Sequence, residues 1–272
     1  MRRIFLVGCP RSGTTLVQSL LASAPGMVTF TESHFFDKCF GPLYMPFHHR
    51  GFDRGCIEAT VDRFSRENAL EADGISAQTW SSAESLASWF VEALDRHAAS
   101  RAGTGWIEKT PDHLHKIGLI ATAAPDAVFV HVLRKPAPTI DSLERASMAW
   151  GNPRSWLAFA IKWVISVFAS ATYLDKPGHL HVFYEDIVEN SRNESKKLFD
   201  WLGLEWDEGV LERYRLVADE AIAPGESWKQ RNVREIGVRS DEPSAQNRLR
   251  KVLIGPLNLF YNRVKRRAAR VD

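Results

Sequence analysis

"GCPRSGTT", residues 8–15, follows directly on the apolar run "RIFLV" (3–7) and leads into "LVQSLLASAPG" (16–26). The order is buried strand, glycine turn, helix. A short β-branched run stops at Gly8, and Leu16, Leu20 and Leu21 then recur at helical spacing until Pro25-Gly26. Such a turn presents backbone N–H groups at a helix N-terminus, whose partial positive charge favours an anion. Gly8 and Gly13 permit the tight path, Thr14 and Thr15 offer hydroxyl donors, and Arg11 places a fixed charge inside the turn. The ATP-type pattern G-x4-G-K-[ST] fails, because Thr14 stands where its lysine would reach the terminal phosphates. The loop therefore suits a phosphate held near the strand end, without the usual lysine and magnesium. A tyrosine-phosphatase reading of Cys9 also fails, since C-x5-R needs arginine where Thr15 stands.

Outward from this unit the pattern repeats. "AVFVHVL" (127–133) reads as a buried strand and "PTIDSLERASMAW" (138–150) as a helix. "HLHVFYEDI" (179–187) reads as a strand with a polar C-terminal end, and "SRNESKKLFDWLGL" (191–204) as a helix closed by Gly203. Strands alternating with helices predict an α/β fold, a three-layer open parallel sheet flanked by helices. Ligands of such sheets bind beyond the carboxyl ends of the strands, which is where Gly8, Arg134 and Tyr184 fall. Residues 58–100 read as helical, with a serine cap and apolar stripe in "SSAESLASWFVEALDRHAA". No repeat or linker divides the chain, so one domain over 1–272 is expected.

Composition narrows the partners. The 272 residues are 44% hydrophobic, with 35 basic and 33 acidic side chains and a formal charge of +2. That balance argues against a dedicated nucleic-acid binder and makes any anion affinity local. Cys9, Cys39 and Cys56 form neither a disulfide framework nor a CxxC pair, so no metal is expected and a reducing compartment is the simple reading. "WLAFAIKWVISVFASATYL" (156–174) is interrupted by Lys162 and reads as a buried helix rather than a membrane span. A cytoplasmic protein is expected; its oligomeric state is not readable.

A second anion grip lies in "VLRKPAPTIDSLERA" (132–146). Arg134 ends a strand, and a helix starting near Pro138 puts Ser142 about one turn in. An arginine with a hydroxyl makes a phosphate clamp. The plainer alternative pairs Arg134 with Asp141 or Glu144 at the surface.

A "PRSGTT" loop behind the first strand, with R-x7-S behind a later one, resembles the PAPS-dependent sulfotransferases. PAPS is 3′-phosphoadenosine 5′-phosphosulfate, and PAP is the product left after transfer. The resemblance implies their P-loop-like sulfotransferase fold. It implies a 5′-phosphosulfate site at Arg11, Ser12, Gly13, Thr14 and Thr15, and a 3′-phosphate site at Arg134 and Ser142. "FYEDI" (183–187) and "PGESWKQRN" (224–232) resemble further cofactor segments, which nominates Tyr184, Trp228 and Lys229. Cytosolic members stack adenine on a tryptophan just after the two threonines; here that position is Leu16, so adenine must be held otherwise.

Two more segments resemble heparan sulfate 3-O-sulfotransferases: "TESHFFDKCF" (31–40) and "WIEKTPDHL" (106–114). The likeness implies Glu32 as the catalytic base and Lys109 as its cationic partner, with Arg11 and His34 in the catalytic set. His34, Phe36, Asp37 and His113 become acceptor-side residues. Apolar neighbours Phe35 and Phe36 would raise the Glu32 pKa by desolvation, and Lys109 would oppose that rise. His113 is the rival base, because cytosolic members use a histidine soon after a Lys-Thr pair. Here Pro111 holds that place and His113 comes two residues later, which favours Glu32. The expected acceptor is a small-molecule, sugar or glycolipid hydroxyl. Two other functions stay open: a P-loop small-molecule kinase and a non-catalytic nucleotide-binding module.

Overall fold

The computed structural model describes residues 1–41, 54–70, 82–220 and 248–270. Five parallel strands form its centre: β1 (Arg2–Gly8), β2 (Met27–Thr29), β3 (Gly105–Lys109), β4 (Val128–Leu133) and β5 (His179–Phe183), in the order β2-β3-β1-β4-β5. β1 is central because both of its faces are apolar; Ile4, Phe5, Leu6 and Val7 are all fully buried. Its register sets Leu6 beside Lys109 of β3 and Gly8 beside Val132 of β4, while Leu133 of β4 lies beside Phe183 of β5. The carboxyl ends of β1, β3, β4 and β5 thus reach one edge together.

Helices cover both faces. Following the chain they are α1 (Thr14–Ala22), α2 (Phe35–Cys39), α3 (Arg54–Asn68), α4 (Ala83–Ser100), α5 (Ile117–Ala123), α6 (Pro136–Ala149) and α7 (Trp156–Ala171). After β5 come α8 (Tyr184–Glu189), α9 (Ser191–Leu202), α10 (Val210–Glu220) and α11 (Arg248–Ala268). One core layer gathers Phe5, Phe35, Phe36, Phe90, Trp106 and Phe129 between the sheet and α2–α5; the other packs Leu6, Leu20, Val130 and Phe199 under α1, α9 and α10. The first layer is aromatic, with Phe35 stacked on Phe90 at 3.9 Å between centroids and Phe5 edge-on to Trp106 at 5.2 Å. Each ring so buried contributes ~1.5–3 kcal/mol by leaving water.

Four details depart from the sequence reading. α6 begins at Pro136, so Ser142 lies nearly two turns in rather than one; Pro136 fits the first helical position because its missing N–H would be unpaired there anyway. β5 ends at Phe183, and Tyr184 opens a helix instead of extending the strand. α7 is not buried all round; Leu157, Ile161 and Phe168 lie on an exposed face. β2 and β3 were not read as strands: β2 has only three residues, and β3 carries Glu108 and Lys109 at positions where a buried strand normally shows apolar side chains. The serine cap of α4 is present, with Ser82 and Ser85 bonded reciprocally. Among the described residues no helix is long and apolar enough to cross a membrane.

Candidate active site

The loop between β1 and α1 turns on three left-handed or otherwise positive φ angles, 151° at Gly8, 73° at Arg11 and 98° at Gly13. Glycine is required twice. A Cβ on Gly8 would stand 2.5 Å from the Val132 carbonyl oxygen, and one on Gly13 would stand 2.2 Å from Cδ2 of Tyr184. The Gly13 backbone therefore lies directly against the Tyr184 ring, which fills the space beside the turn. Ser12 is fully buried, and its Oγ has no hydrogen-bond partner among the described residues.

Arg134 leaves the end of β4 and joins this turn. Its guanidinium lies 4.3 Å from the Tyr184 ring centroid and donates to the Arg11 carbonyl at 3.4 Å. Its Nε is buried without a partner. The Arg134 backbone carbonyl accepts from Trp163 Nε1 of α7 at 3.1 Å, which fixes the residue's base. The surface pairing with Asp141 or Glu144 does not form: Asp141 accepts from Trp156 Nε1, and Glu144 is held in a two-pronged pair by Arg250 of α11. Arg11, expected to point its charge into the turn, instead donates from Nε to Ser142 Oγ at 2.9 Å. Its left-handed backbone swings the side chain toward α6. Arg11, Arg134 and Ser142 thus meet in one place, and the two grips read separately from the sequence are continuous. α11 braces this end further, since Tyr261 donates to Glu185, whose other oxygen accepts the Lys135 N–H at 2.9 Å.

Beyond the end of β3 lies a second cluster. Lys109, only 1% exposed, donates to Glu32 Oε1. The other Glu32 oxygen lies 3.4 Å from His34 Nε2, and His34 Nδ1 is 3.2 Å from Asp37 Oδ2. His34 has a left-handed backbone at φ 54°, which folds its ring back between the two carboxylates. Burial alone would lower the His34 pKa, but Asp37 and Glu32 outweigh it and raise the value to about 9. Burial would likewise raise Asp37, yet His113 and His34 hold its carboxyl well below the usual range. The chain carrying Glu32 is strapped from outside by α3, where Arg63 donates to the carbonyls of Glu32 at 3.0 Å and Ser33 at 2.7 Å.

The expected residues divide clearly. Arg11, Ser12, Gly13, Tyr184, Arg134 and Ser142 share one end of the sheet edge, with Thr14 and Thr15 opening α1. Glu32, His34, Asp37 and Lys109 share the other. Phe36 and His113, expected on the acceptor side, are fully buried in this structure. Phe36 packs edge-on to His113 at 5.0 Å because the apolar face of α2 seals the core there. Leu16 is also interior, in the layer under α1. Trp228 and Lys229 lie outside the described residues. Sequence reading missed Glu108, a fully buried carboxylate; its only signal was its place beside Lys109. Among the described residues no group of three or more His, Cys, Asp and Glu is arranged to hold a metal ion.

Known proteins share this fold. Among solved structures, the sulfotransferase domain of the Synechococcus PCC 7002 olefin synthase superposes with a TM-score of 0.59 at 20% identity, covering 94% of this chain and 93% of that one. A mouse sulfotransferase complexed with PAP gives 0.56 at 15% identity, with 94% and 82% covered. Among curated proteins, protein-tyrosine sulfotransferase A of Caenorhabditis elegans is 20% identical over 80% of this chain and 54% of its own length. Protein-tyrosine sulfotransferase 1 of Danio rerio is 22% identical over 80% and 57%. An uncharacterized protein of Aquifex aeolicus is 22% identical over 79% of this chain and 27% of its own length. The chain therefore spans between about a quarter and a little over half of the length of these curated relatives. Residues 3–208, most of the chain and all of the described site, match the sequence profile of the sulfotransferase family, and to that family the chain belongs.

Proposed function

We propose that the chain transfers a sulfuryl group from PAPS to an acceptor hydroxyl, with Glu32 as general base. The observation that carries the reading is that two of the buried, unpartnered polar atoms, Ser12 Oγ and Arg134 Nε, belong to the turn that Gly13 and Tyr184 close and to the strand end beside it. A buried donor left unpaired costs ~1–3 kcal/mol, and here both lie beside a glycine turn at a helix N-terminus, where an anionic ligand would answer them. The residues fit a nucleotide charged at both ends of its ribose. The Ser12–Thr15 amides and hydroxyls would take the 5′ side, and Arg134 with Ser142 the 3′-phosphate. Tyr184 offers a ring face, braced by Arg134, in place of the tryptophan that Leu16 lacks.

When bound, PAPS supplies a sulfuryl group whose bond to the phosphate breaks as one to the acceptor oxygen forms. Glu32, paired with Lys109 and beside His34, takes the acceptor's proton. Lys109 carries the positive charge that the departing phosphate needs, and exchanges it from Glu32 as that carboxylate becomes neutral. His34 and Asp37 orient Glu32. A cytoplasmic setting, a single domain and a small-molecule, sugar or glycolipid acceptor belong to the same reading. The likeness to protein-tyrosine sulfotransferases adds a phenolic hydroxyl in a peptide to the acceptors worth testing.

Calorimetric titration compares PAP with AMP. Strong preference for PAP is expected, and equal binding of both would overturn the cofactor reading. A screen with labelled PAPS against sugars, phenols, glycolipids and tyrosine peptides then tests transfer. Magnesium-dependent ATP turnover without sulfuryl transfer would favour a kinase instead, although Thr14 in the lysine position argues against it. Tight PAP binding with every acceptor inert would favour a non-catalytic module.

A further inference from the structure

Glu108 precedes Lys109 in β3 and is fully buried. A carboxylate in that position survives only if its charge and lone pairs are answered. They are. Oε1 accepts from Ser33 Oγ at 2.7 Å and Thr110 Oγ1 at 2.7 Å, and Oε2 lies 2.9 Å from His113 Nδ1. Ser33 follows Glu32 in the chain, and Thr110 Oγ1 also accepts the His34 N–H at 3.3 Å. The same carboxylate therefore anchors, through Ser33 and Thr110, the backbone that enters the left-handed His34 turn.

From Glu108 opposite charges alternate outward to the catalytic pair. His113 Nε2 lies 3.5 Å from Asp37 Oδ1, Asp37 Oδ2 lies 3.2 Å from His34, and His34 lies 3.4 Å from Glu32, which receives Lys109. We infer that Glu108 and His113 are positioning residues for sulfuryl transfer, fixing the Glu32 carboxylate through Asp37 and His34. This rests on Glu32 being the base.

The link at His113 depends on a proton. The Phe36 N–H, 3.1 Å from Nε2, asks for a lone pair there, whereas Asp37 Oδ1 asks for a proton. Burial lowers the His113 pKa, but the carboxylates of Glu108 and Asp37 outweigh it and raise it to about 9. The two carboxylates favour the charged ring and the Phe36 amide the neutral one, so the state of His113 reports the balance between them. Of the other titratable groups on this 3-10 turn (Pro111–Lys116), Asp112 pairs with Lys162 of α7, Lys116 donates to the Phe40 and Gly41 carbonyls and also feels the Asp37 charge, and burial lowers the His115 pKa.

Glu108→Gln keeps the shape and removes the charge. It should lower kcat by about 10- to 100-fold, the cost of misplacing a catalytic group, and leave PAP affinity unchanged. The alkaline limb of the kcat–pH profile, set near pH 9 by the two histidines, should move down, because His113 without Glu108 loses its proton at lower pH. His113→Gln, which does not titrate, should lose a comparable part of kcat and its share of the limb. Histidine Cε1–H resonances report the same event without an acceptor: His113 should be charged at pH 7 in the wild type and neutral in Glu108→Gln. An unmoved limb and resonance, or PAP affinity falling in step with kcat, would overturn the inference. If Glu108→Gln does not fold, His113→Gln with wild-type kcat overturns it instead. Glu32→Gln keeps the two ideas apart. If that variant still turns over, the base reading fails; if it is inert while the Glu108→Gln profile is unmoved, only the positioning role fails.

Discussion

The two ends of the site edge are built on opposite principles. At the nucleotide end, Ser12 Oγ and Arg134 Nε are buried with nothing to bond, and an arginine leans on a tyrosine ring. At the Glu32 end the charged groups from Glu108 to Lys109 alternate in sign, although Asp37 Oδ1 makes no hydrogen bond among the described residues and reaches His113 Nε2 only at 3.5 Å. An end completed by a ligand keeps donors in hand, and its unmade bonds become binding energy. On the proposed function the Glu32 end performs proton transfer, and such an end must hold its geometry before the substrate arrives, because reorganisation during the reaction would raise the barrier.

Substitutions can break or sharpen that contrast. The largest expected effect is Glu32→Gln, which should lower turnover by ~100-fold or more while calorimetry finds PAP affinity nearly intact. Gly13→Ala comes next and should act oppositely. Its Cβ would overlap Tyr184 and sit at φ 98°, and strain and overpacking of ~1–3 kcal/mol each convert to roughly 30-fold or more in PAP affinity. Arg134→Ala should weaken PAP by about 10- to 100-fold, the range for a hydrogen bond to a charged group, and should affect AMP much less. If AMP suffers equally, Arg134 does not read the 3′-phosphate and the two-ended grip fails.

The smallest effect is a pH dependence of stability. His34, raised to about 9 in the fold from an ordinary 6.5, contributes stability that is fully present below pH 6.5 and lost as pH rises through about 9. The Tm difference between wild type and His34→Asn should therefore shrink between pH 6 and pH 10. A constant difference would mean that His34 acts by packing rather than by charge.

Much of the nucleotide end was legible in the chain because its parts are local. Gly8 to Thr15 is a strand–turn–helix, and Arg134 with Ser142 is a strand end and the helix behind it, so spacing along the sequence carries the geometry. The meeting of Arg11 with Ser142 was not legible, since it depends on β1 and β4 being neighbours and on the left-handed φ of Arg11. The Glu32 end was visible only as motif likeness. The burial of Phe36 and His113 was not legible there, because a motif shows residue types and not burial. Glu108 escaped because a charged residue in a strand reads as surface until its partners, some 75 residues away at Ser33, are brought against it.

The sequence by itself determined the βα units, the glycine turn after β1 and the presence of threonine where a terminal-phosphate lysine would stand, because each follows from local periodicity, glycine conformation and side-chain chemistry. Tertiary structure decided which charges neutralise one another, since burial and opposite sign across parallel strands are properties of residues far apart in the chain. That placed Lys109 on Glu32, His113 inside the core and Arg134 against Tyr184.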